Sequence, residues 1–359
     1  MISYPDYLRL LPKAELHCHL IALMRPDMLL AFADRNGVAL PSRDIDALID
    51  SDNLQDFLAL FVTANDVLRT QDDFAEVAYE GVKDAVRAGN LRYREYYVNS
   101  QNSSAYLSYP DFMDGIIAGL RRAEDEFGVG FRIVNAINRS LSPEDAVEMV
   151  REMIRHPRAE VVGIGQDHLT AEGGEDPGRW INAYRLAAEH GLKLTAHVAE
   201  TMPAEPDAVR VALDHLGVDR IDHGYRAVDD PDVLAQLVAS GTHVACTPIS
   251  TQVLSGWEPT PEHRIATLLR EGVSVSFSTD DAVFFRTDLG REYVDGLIGM
   301  GFGPEVAKQV SLAGVDGAWC DDATKARLRA DFRAQHLALD ALLDPAVWSS
   351  EEIDRAIST

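Results

Sequence analysis

From Leu91 onward the chain alternates short apolar runs with amphipathic segments, and this alternation restricts the fold more than any other feature. The runs Leu91 to Val98, Phe131 to Ile137, Val161 to Gly165, Leu192 to His197, Arg220 to Asp222, His243 to Cys246 and Val273 to Phe277 read as strands. Helices are expected between them: Pro110 to Phe127, Ser142 to His156, Asp176 to Gly191, a segment through Leu213, one opened by Asp230-Pro231, and one near His263 to Arg270. Ser142 with Pro143 is a helix-opening pair, a side-chain cap followed by a proline in the first turn. A further short strand, ending near His19, precedes them all. Apolar runs separated by helices call for a parallel sheet buried on both faces, and about eight such units close into a (β/α)8 TIM barrel. A doubly wound open sheet is the main competitor.

No linker rich in Pro, Gly or Ser and no abrupt change of composition divides the chain, so residues 1–359 are expected to form a single barrel domain. Residues 20–90 form a helical insertion too long for a loop, expected to act as a lid or pocket wall. Within it Leu54, Phe57, Leu58, Phe61 and Val62 follow the spacing of one helix face, and Phe57 and Phe61 are candidate substrate-facing residues. The last helix of the insertion is expected to stop at Gly89, and residues 304–359 to add helices packed on the barrel.

Charge narrows the partners. A formal net charge of −25 and a pI near 4.7 exclude nucleic acid and anionic membrane surfaces, which are bound by clustered Lys and Arg. A small-molecule substrate is expected instead. The three cysteines, Cys18, Cys246 and Cys320, form no Cys-x-x-Cys and support neither a disulfide framework nor a thiolate metal site. No window reaches the ~20 apolar residues of a membrane span, and the expected location is cytoplasmic. These features leave the oligomeric state open, a homo-oligomer included.

In such a barrel the C-terminal ends of the strands converge on one face. Four of those ends carry imidazole or carboxylate: His17-Cys18-His19, His197 with Glu200, Asp222-His223, and Asp280-Asp281. Strand alternation puts His17 and His19 on one side and Cys18 on the other. Nitrogen donors with one carboxylate suit Zn²⁺, and also accommodate Fe²⁺, Mn²⁺ or Co²⁺. His17, His19, His197 and Asp280 are therefore the expected ligands of one ion per chain. Glu200, three residues past a ligand, is expected to move a proton at the reacting centre.

The segments PKAELHCHL, TAHVAE, IDHGY and FSTDDAVFF, in this order and spacing, resemble the adenosine deaminase group of the amidohydrolase superfamily over about Leu11 to Phe285. The resemblance implies a zinc-dependent hydrolase that replaces the 6-amino group of a purine with oxygen and releases ammonia. It implies that His17, His19, His197 and Asp280 hold the metal and that Glu200 protonates the ring nitrogen beside the attacked carbon. It further implies that His223 orients or deprotonates the attacking water and that Asp281 hydrogen-bonds the imidazole part of the purine. Protonation matters because the amidine carbon of an aromatic ring resists water until its ring nitrogen carries a proton.

The specificity elements depart from that pattern. Ile21-Ala22 stands where the group usually carries Asp-Gly, whose Asp contacts the ribose 5′-hydroxyl, and Gly165-Gln166-Asp167-His168-Leu169-Thr170 replaces the usual continuation of the fourth strand. Ile21 cannot accept that hydrogen bond, while Gln166 or His168 is a candidate side-chain contact. The expected substrate is an adenine-type nucleoside with a modified 5′ end, such as aminodeoxyfutalosine. Other amino-heterocycles (adenine, guanine, a pterin) and a cyclic amide are the alternatives.

Overall fold

The computed structural model describes residues 1–44 and 54–344, with side chains from residue 60 onward in the helix that opens at Leu54. Among these residues the parallel strands are β1 (Lys13–His19), β2 (Leu91–Val98), β3 (Gly130–Asn138), β4 (Val161–Asp167), β5 (Lys193–Leu194), β6 (His197–Val198), β7 (Arg220–His223), β8 (His243–Cys246) and β9 (Val275–Phe277). They pair consecutively from β1 to β5 and from β6 to β9. β5 and β6 are two pieces of one stave broken at Thr195-Ala196. The ladder continues across the break, with the Thr195 amide donating to the Ile164 carbonyl (3.0 Å) and the Asp222 amide to the Ala196 carbonyl (3.0 Å).

The last strand returns to the first. The His19 amide donates to the Asp280 carbonyl (2.9 Å) and the Asp280 amide to the His17 carbonyl (3.2 Å), closing an eight-staved (β/α)8 barrel. Helices follow the expected signals closely. Ser142 accepts from the Asp145 amide while the Asp145 side chain accepts from the Ser142 amide, so Pro143–Arg155 opens on a reciprocal cap. Ser108 caps Tyr109–Phe127 in the same way from one side.

The insertion after β1 contains the helices Pro26–Asn36, Leu54–Asp66 and Gln71–Gly89. Of its apolar stripe, Phe61 is buried whereas Val62 is 57% exposed, so the stripe is narrower than its spacing suggests. Phe57 lies outside the described side chains. The helix ends at Gly89 as expected, with Asn90, in the left-handed conformation at φ 53°, as its C-cap. Gly89 is required by packing, because a Cβ there would sit 2.7 Å from the Gly290 amide nitrogen.

The helices Gln71–Gly89 and Tyr109–Phe127 pack through two further glycines. A Cβ on Gly115 would lie 2.6 Å from the Gln71 carbonyl oxygen, and one on Gly119 would overlap the Ala75 carbonyl. Gly119→Ala is therefore expected to destabilise the fold by about 1–3 kcal/mol, the usual range for overpacking a close contact. Urea denaturation would test this; an unchanged midpoint would show that the two helices can separate freely.

Polar groups fill part of the barrel interior. Glu15 pairs with Arg94, and Glu95 pairs with Arg220 at 2.6 Å. Glu95 also accepts from the Tyr93 hydroxyl (2.9 Å) and the Trp319 amide (2.5 Å). Trp319 follows the helix Pro304–Gly317, and the Arg220 guanidinium lies 4.0 Å from its ring centroid. The tail continues through the helix Asp322–Asp340, and residues 345–359 lie outside the described residues. Among the described residues no helix is long and apolar enough to cross a membrane.

Candidate metal centre and active site

The end of β1 supplies His17 and His19, the end of β6 supplies His197, and the turn after β9 supplies Asp280. One ligand atom from each lies within 4.8 Å of all the others. His17 Nε2 is 3.0 Å from Asp280 Oδ1, His19 Nε2 is 3.1 Å from His197 Nε2, and His19 Nε2 is 3.4 Å from Asp280 Oδ1. All four side chains are buried.

Three of the residues that turn into this site have left-handed backbones: Ala199 at φ 53°, His223 at φ 69° and Asp280 at φ 61°. His168, just past β4, has φ 60°. A non-glycine residue in this region costs of order 1–3 kcal/mol and persists only where the surroundings hold it. Each bend ends the alternation of its strand and re-aims the next side chain into the barrel mouth.

Electrostatics favours a cation here. Burial opposes charge on His17 and His19, yet Asp222 and Asp280 raise His17 to a pKa of about 10, and Asp281, Asp280 and Asp167 raise His19 to about 9. Carboxylates that hold two imidazoles charged would attract a divalent ion in place of the protons. Behind the ligands, Asp222 Oδ1 is 3.0 Å from His17 Nδ1, and Ser250 donates to Asp280 Oδ2 at 2.7 Å. Tyr97 and Thr195 donate to Asp222, the latter at 2.5 Å. Such partners fix ring orientation around a metal. Imidazole nitrogens with a carboxylate, a supported second layer and a flanking negative field fit Zn²⁺ or a similar ion.

Glu200, His223 and Asp280 form an overlapping cluster, again with one polar atom from each within 4.8 Å of the others. Burial raises the Glu200 carboxyl to about 8, assisted by the nearby carboxylates of Asp280 and Glu175. Burial also lowers His223 to about 3, with His17 and His19 adding to the effect. His223 Nδ1 lies 3.2 Å from the Tyr225 hydroxyl, and its Nε2 has no hydrogen-bond partner and lies 3.8 Å from Glu200 Oε1. Asp281 is raised to about 8 by burial and by Asp280 and Asp167, and its Oδ1 is buried without a partner.

Glu200, Asp280 and Asp281 line a cavity of about 620 Å³ together with His19, His197, Phe61, His168 and Leu254, whereas His17 and His223 are not among its lining residues. Ile21 is not among its lining residues: it sits in the apolar core, in the 3-10 turn Leu20–Leu23. Gln166 is also absent from the lining. Its Nε2 donates to the Tyr184 hydroxyl (3.2 Å), because β4 runs two residues further than Gly165 and its alternation turns Asp167, not Gln166, toward His19.

Three supports escaped the sequence reading. Arg139 donates to the carbonyls of Asp167 (3.0 Å), His168 (2.6 Å) and His197 (3.0 Å), tying the end of β4 to that of β6. The Glu175 carboxylate accepts from the amides of Ala199 (2.6 Å) and Glu200 (3.0 Å), and Asn99 donates to both Asp167 oxygens (2.8 and 3.0 Å). Arg139 and Asn99 each follow directly on a strand end, a position that can be read from sequence.

Residues 12–334 match the family model described as adenosine deaminase. A curated adenine deaminase of Rhodospirillum rubrum is 34% identical over 285 residues, 78% of this chain and 84% of that protein. Among solved structures, a Burkholderia ambifaria amidohydrolase with bound zinc superposes with a TM-score of 0.86 at 30% identity, covering 95% of both chains. An adenine deaminase of Arthrobacter aurescens gives a TM-score of 0.84 at 28% identity, over 90% of this chain and 98% of that one.

Proposed function

Because the chain belongs to the adenosine deaminase family, and is thus a metal-dependent hydrolytic deaminase of adenine-type substrates, we propose that it removes the 6-amino group from an adenine ring with zinc as its metal. The observation that carries this reading is the overlap of the two clusters: a raised carboxyl and a neutral imidazole beside a four-ligand site.

His17, His19, His197 and Asp280 would hold the ion. Bound there, zinc supplies the Lewis acidity that makes water a nucleophile near neutral pH. The remaining work belongs to the chain. Protonated Glu200 gives its proton to the ring nitrogen beside the amino-bearing carbon, which draws electron density from that carbon. His223 accepts a proton from the attacking water through its unpartnered Nε2. The new C–O bond forms, the amino group takes up the proton that His223 had accepted and leaves as ammonia as the C–N bond breaks, and the proton of the new hydroxyl returns to Glu200 as the carbonyl forms. Asp281, its carboxyl held neutral by burial, donates to a ring nitrogen and orients the purine.

Free adenine is the smallest substrate that meets all of these groups, and the adenine deaminases among the relatives support it. A nucleoside modified at the 5′ end is the second reading: position 21, where the resemblance would put an Asp, holds a core-buried isoleucine and supplies no acceptor for a 5′-hydroxyl. Ammonia release from adenine, adenosine, 5′-deoxyadenosine and a 5′-extended adenosine separates them. Ammonia release from guanine alone, or ring opening of a cyclic amide with no ammonia from any purine, would overturn the reading.

The raised Glu200 pKa gives the pH dependence its sign. The reactive form is the protonated one, so kcat is expected to hold through neutral pH and to fall as pH rises past about 8. A profile that instead falls above pH ~4.5, where an ordinary carboxyl ionises, would remove Glu200 from the acid role.

A further inference from the structure

Glu15 stands opposite Arg94 and Cys18 opposite Tyr96, so the pairing of β1 with β2 slips by one residue between them. A bulge of this kind takes main-chain groups out of the regular ladder and re-aims the side chains beside it. Here the amides of Leu16 and His17 both turn to β9 and donate to the Ser278 hydroxyl oxygen, at 3.2 and 3.1 Å. In return β1 reaches across with the Glu15 carboxylate, whose Oε1 accepts from the Thr279 amide (2.8 Å) and the Thr279 hydroxyl (2.6 Å). We propose that Glu15, Ser278 and Thr279 form a reciprocal brace that holds His17 and Asp280 in register as ligands, which makes them positioning residues of the metal centre. The proposal rests on the reading of His17, His19, His197 and Asp280 as the ligands of one ion, and adds the residues that set how far apart the ligands of the first and last strands stand.

Each arm of the brace ends at a ligand or at its neighbour. The Ser278 arm fixes the main chain of His17 itself. The Glu15 arm fixes Thr279, and with it the left-handed turn at Asp280 (φ 61°), a conformation that persists only where its surroundings hold it. Ser250 holds the Asp280 carboxylate separately, so the brace acts on the backbone that carries it. Together the two arms leave His17 Nε2 3.0 Å from Asp280 Oδ1.

The surroundings make the brace stiff. Glu15, Arg94, Ser278 and Thr279 are all buried, so water does not compete for their hydrogen bonds. The second Glu15 oxygen is paired with Arg94 Nε, and Arg94 Nη1 lies 3.4 Å from the Gly81 carbonyl oxygen on the helix Gln71–Gly89. Charge balance for Arg94 occupies one oxygen of the carboxylate. The other meets two donors of the residue that precedes a ligand, and charged acceptors make the stronger hydrogen bonds.

Removing Glu15 would leave Arg94 buried without its anion, so the test approaches from the other strand, in the full-length protein. Thr279→Val keeps the shape and loses the hydroxyl, Thr279→Ser keeps the hydroxyl, and Ser278→Ala removes the acceptor of two amides. Gly119→Ala, which overpacks a contact between two helices, controls for loss of stability alone. Two readouts are taken on each: zinc Kd by chelator competition, and the visible absorption of the cobalt-substituted protein, which follows the geometry of the ligand set. Thr279→Val and Ser278→Ala should each weaken zinc binding at least tenfold and shift the cobalt bands. Thr279→Ser should stay within threefold of the wild type with its bands in place, and Gly119→Ala should change neither readout. Wild-type values in either Thr279→Val or Ser278→Ala, or a Thr279→Ser protein that behaves like the valine variant, would overturn the proposal. A wild type that takes up neither metal would overturn the ligand reading instead. Crystal structures of the two variants then decide the brace: Asp280 should leave φ 61° in Thr279→Val and the His17–Asp280 separation should grow in Ser278→Ala, and no change in either would overturn it.

Discussion

Glu200→Gln is expected to lower kcat for ammonia release by about a thousandfold, within the range that a positioned general acid contributes. Glutamine keeps the size of the side chain but has no acidic proton for the ring nitrogen. Because Glu200 is outside the four-residue ligand set, the variant should retain one metal ion per chain and bind the purine product with little change. A variant that kept more than a tenth of wild-type kcat at full metal occupancy would show that another group delivers the proton. A variant that lost both metal and activity would place Glu200 among the ligands.

Arg220→Met should be the most damaging change to stability, costing about 3–5 kcal/mol, as expected when one partner of a buried ion pair is deleted. Arg220 is fully buried between Glu95, 2.6 Å away, and Asp222, 3.9 Å away. Its loss would leave Glu95 without its cation. Despite burial, Asp222 is held well below the usual carboxylate range by His17 and Arg220, so the change would also weaken the carboxylate that orients His17. Chemical denaturation and metal titration together measure both effects. Unchanged stability with unchanged metal affinity would show that the interior pairs are independent of the site above them. Glu95→Gln, which preserves shape and some hydrogen bonding, should be milder.

The alternation of elements was legible because a parallel strand buried on both faces leaves a short apolar run that no surface helix imitates. The break at Thr195-Ala196 was not legible, since both residues sit inside such a run and the ladder passes over them. The helices Pro248–Ser255 and Leu289–Gly299, which follow the turns after two of the strands, are not expected from the sequence. Four side chains that the structure brings within 4.8 Å were identifiable, as imidazole and carboxylate at a strand end stand out by residue type. Arg139 and Glu175 act on main-chain carbonyls and amides, and that role leaves no residue signature on the partner. Gln166 was misplaced by parity alone: ending β4 at Gly165 hides the fact that Asp167 is the last inward residue.

The closure of the barrel and the ligand set occupy the same place. His17 and His19 stand on the first strand, Asp280 follows directly on the last, and their main chains exchange the hydrogen bonds that join the two. The ends of a ring more than 260 residues in circumference are therefore fastened by whatever those side chains bind. An ion here would serve as a clasp, and its release would loosen the seam before any other joint in the wall. Folding and loading then become one thermodynamic event: each increment in the hold on the ion is also an increment in the resistance of the ring to opening.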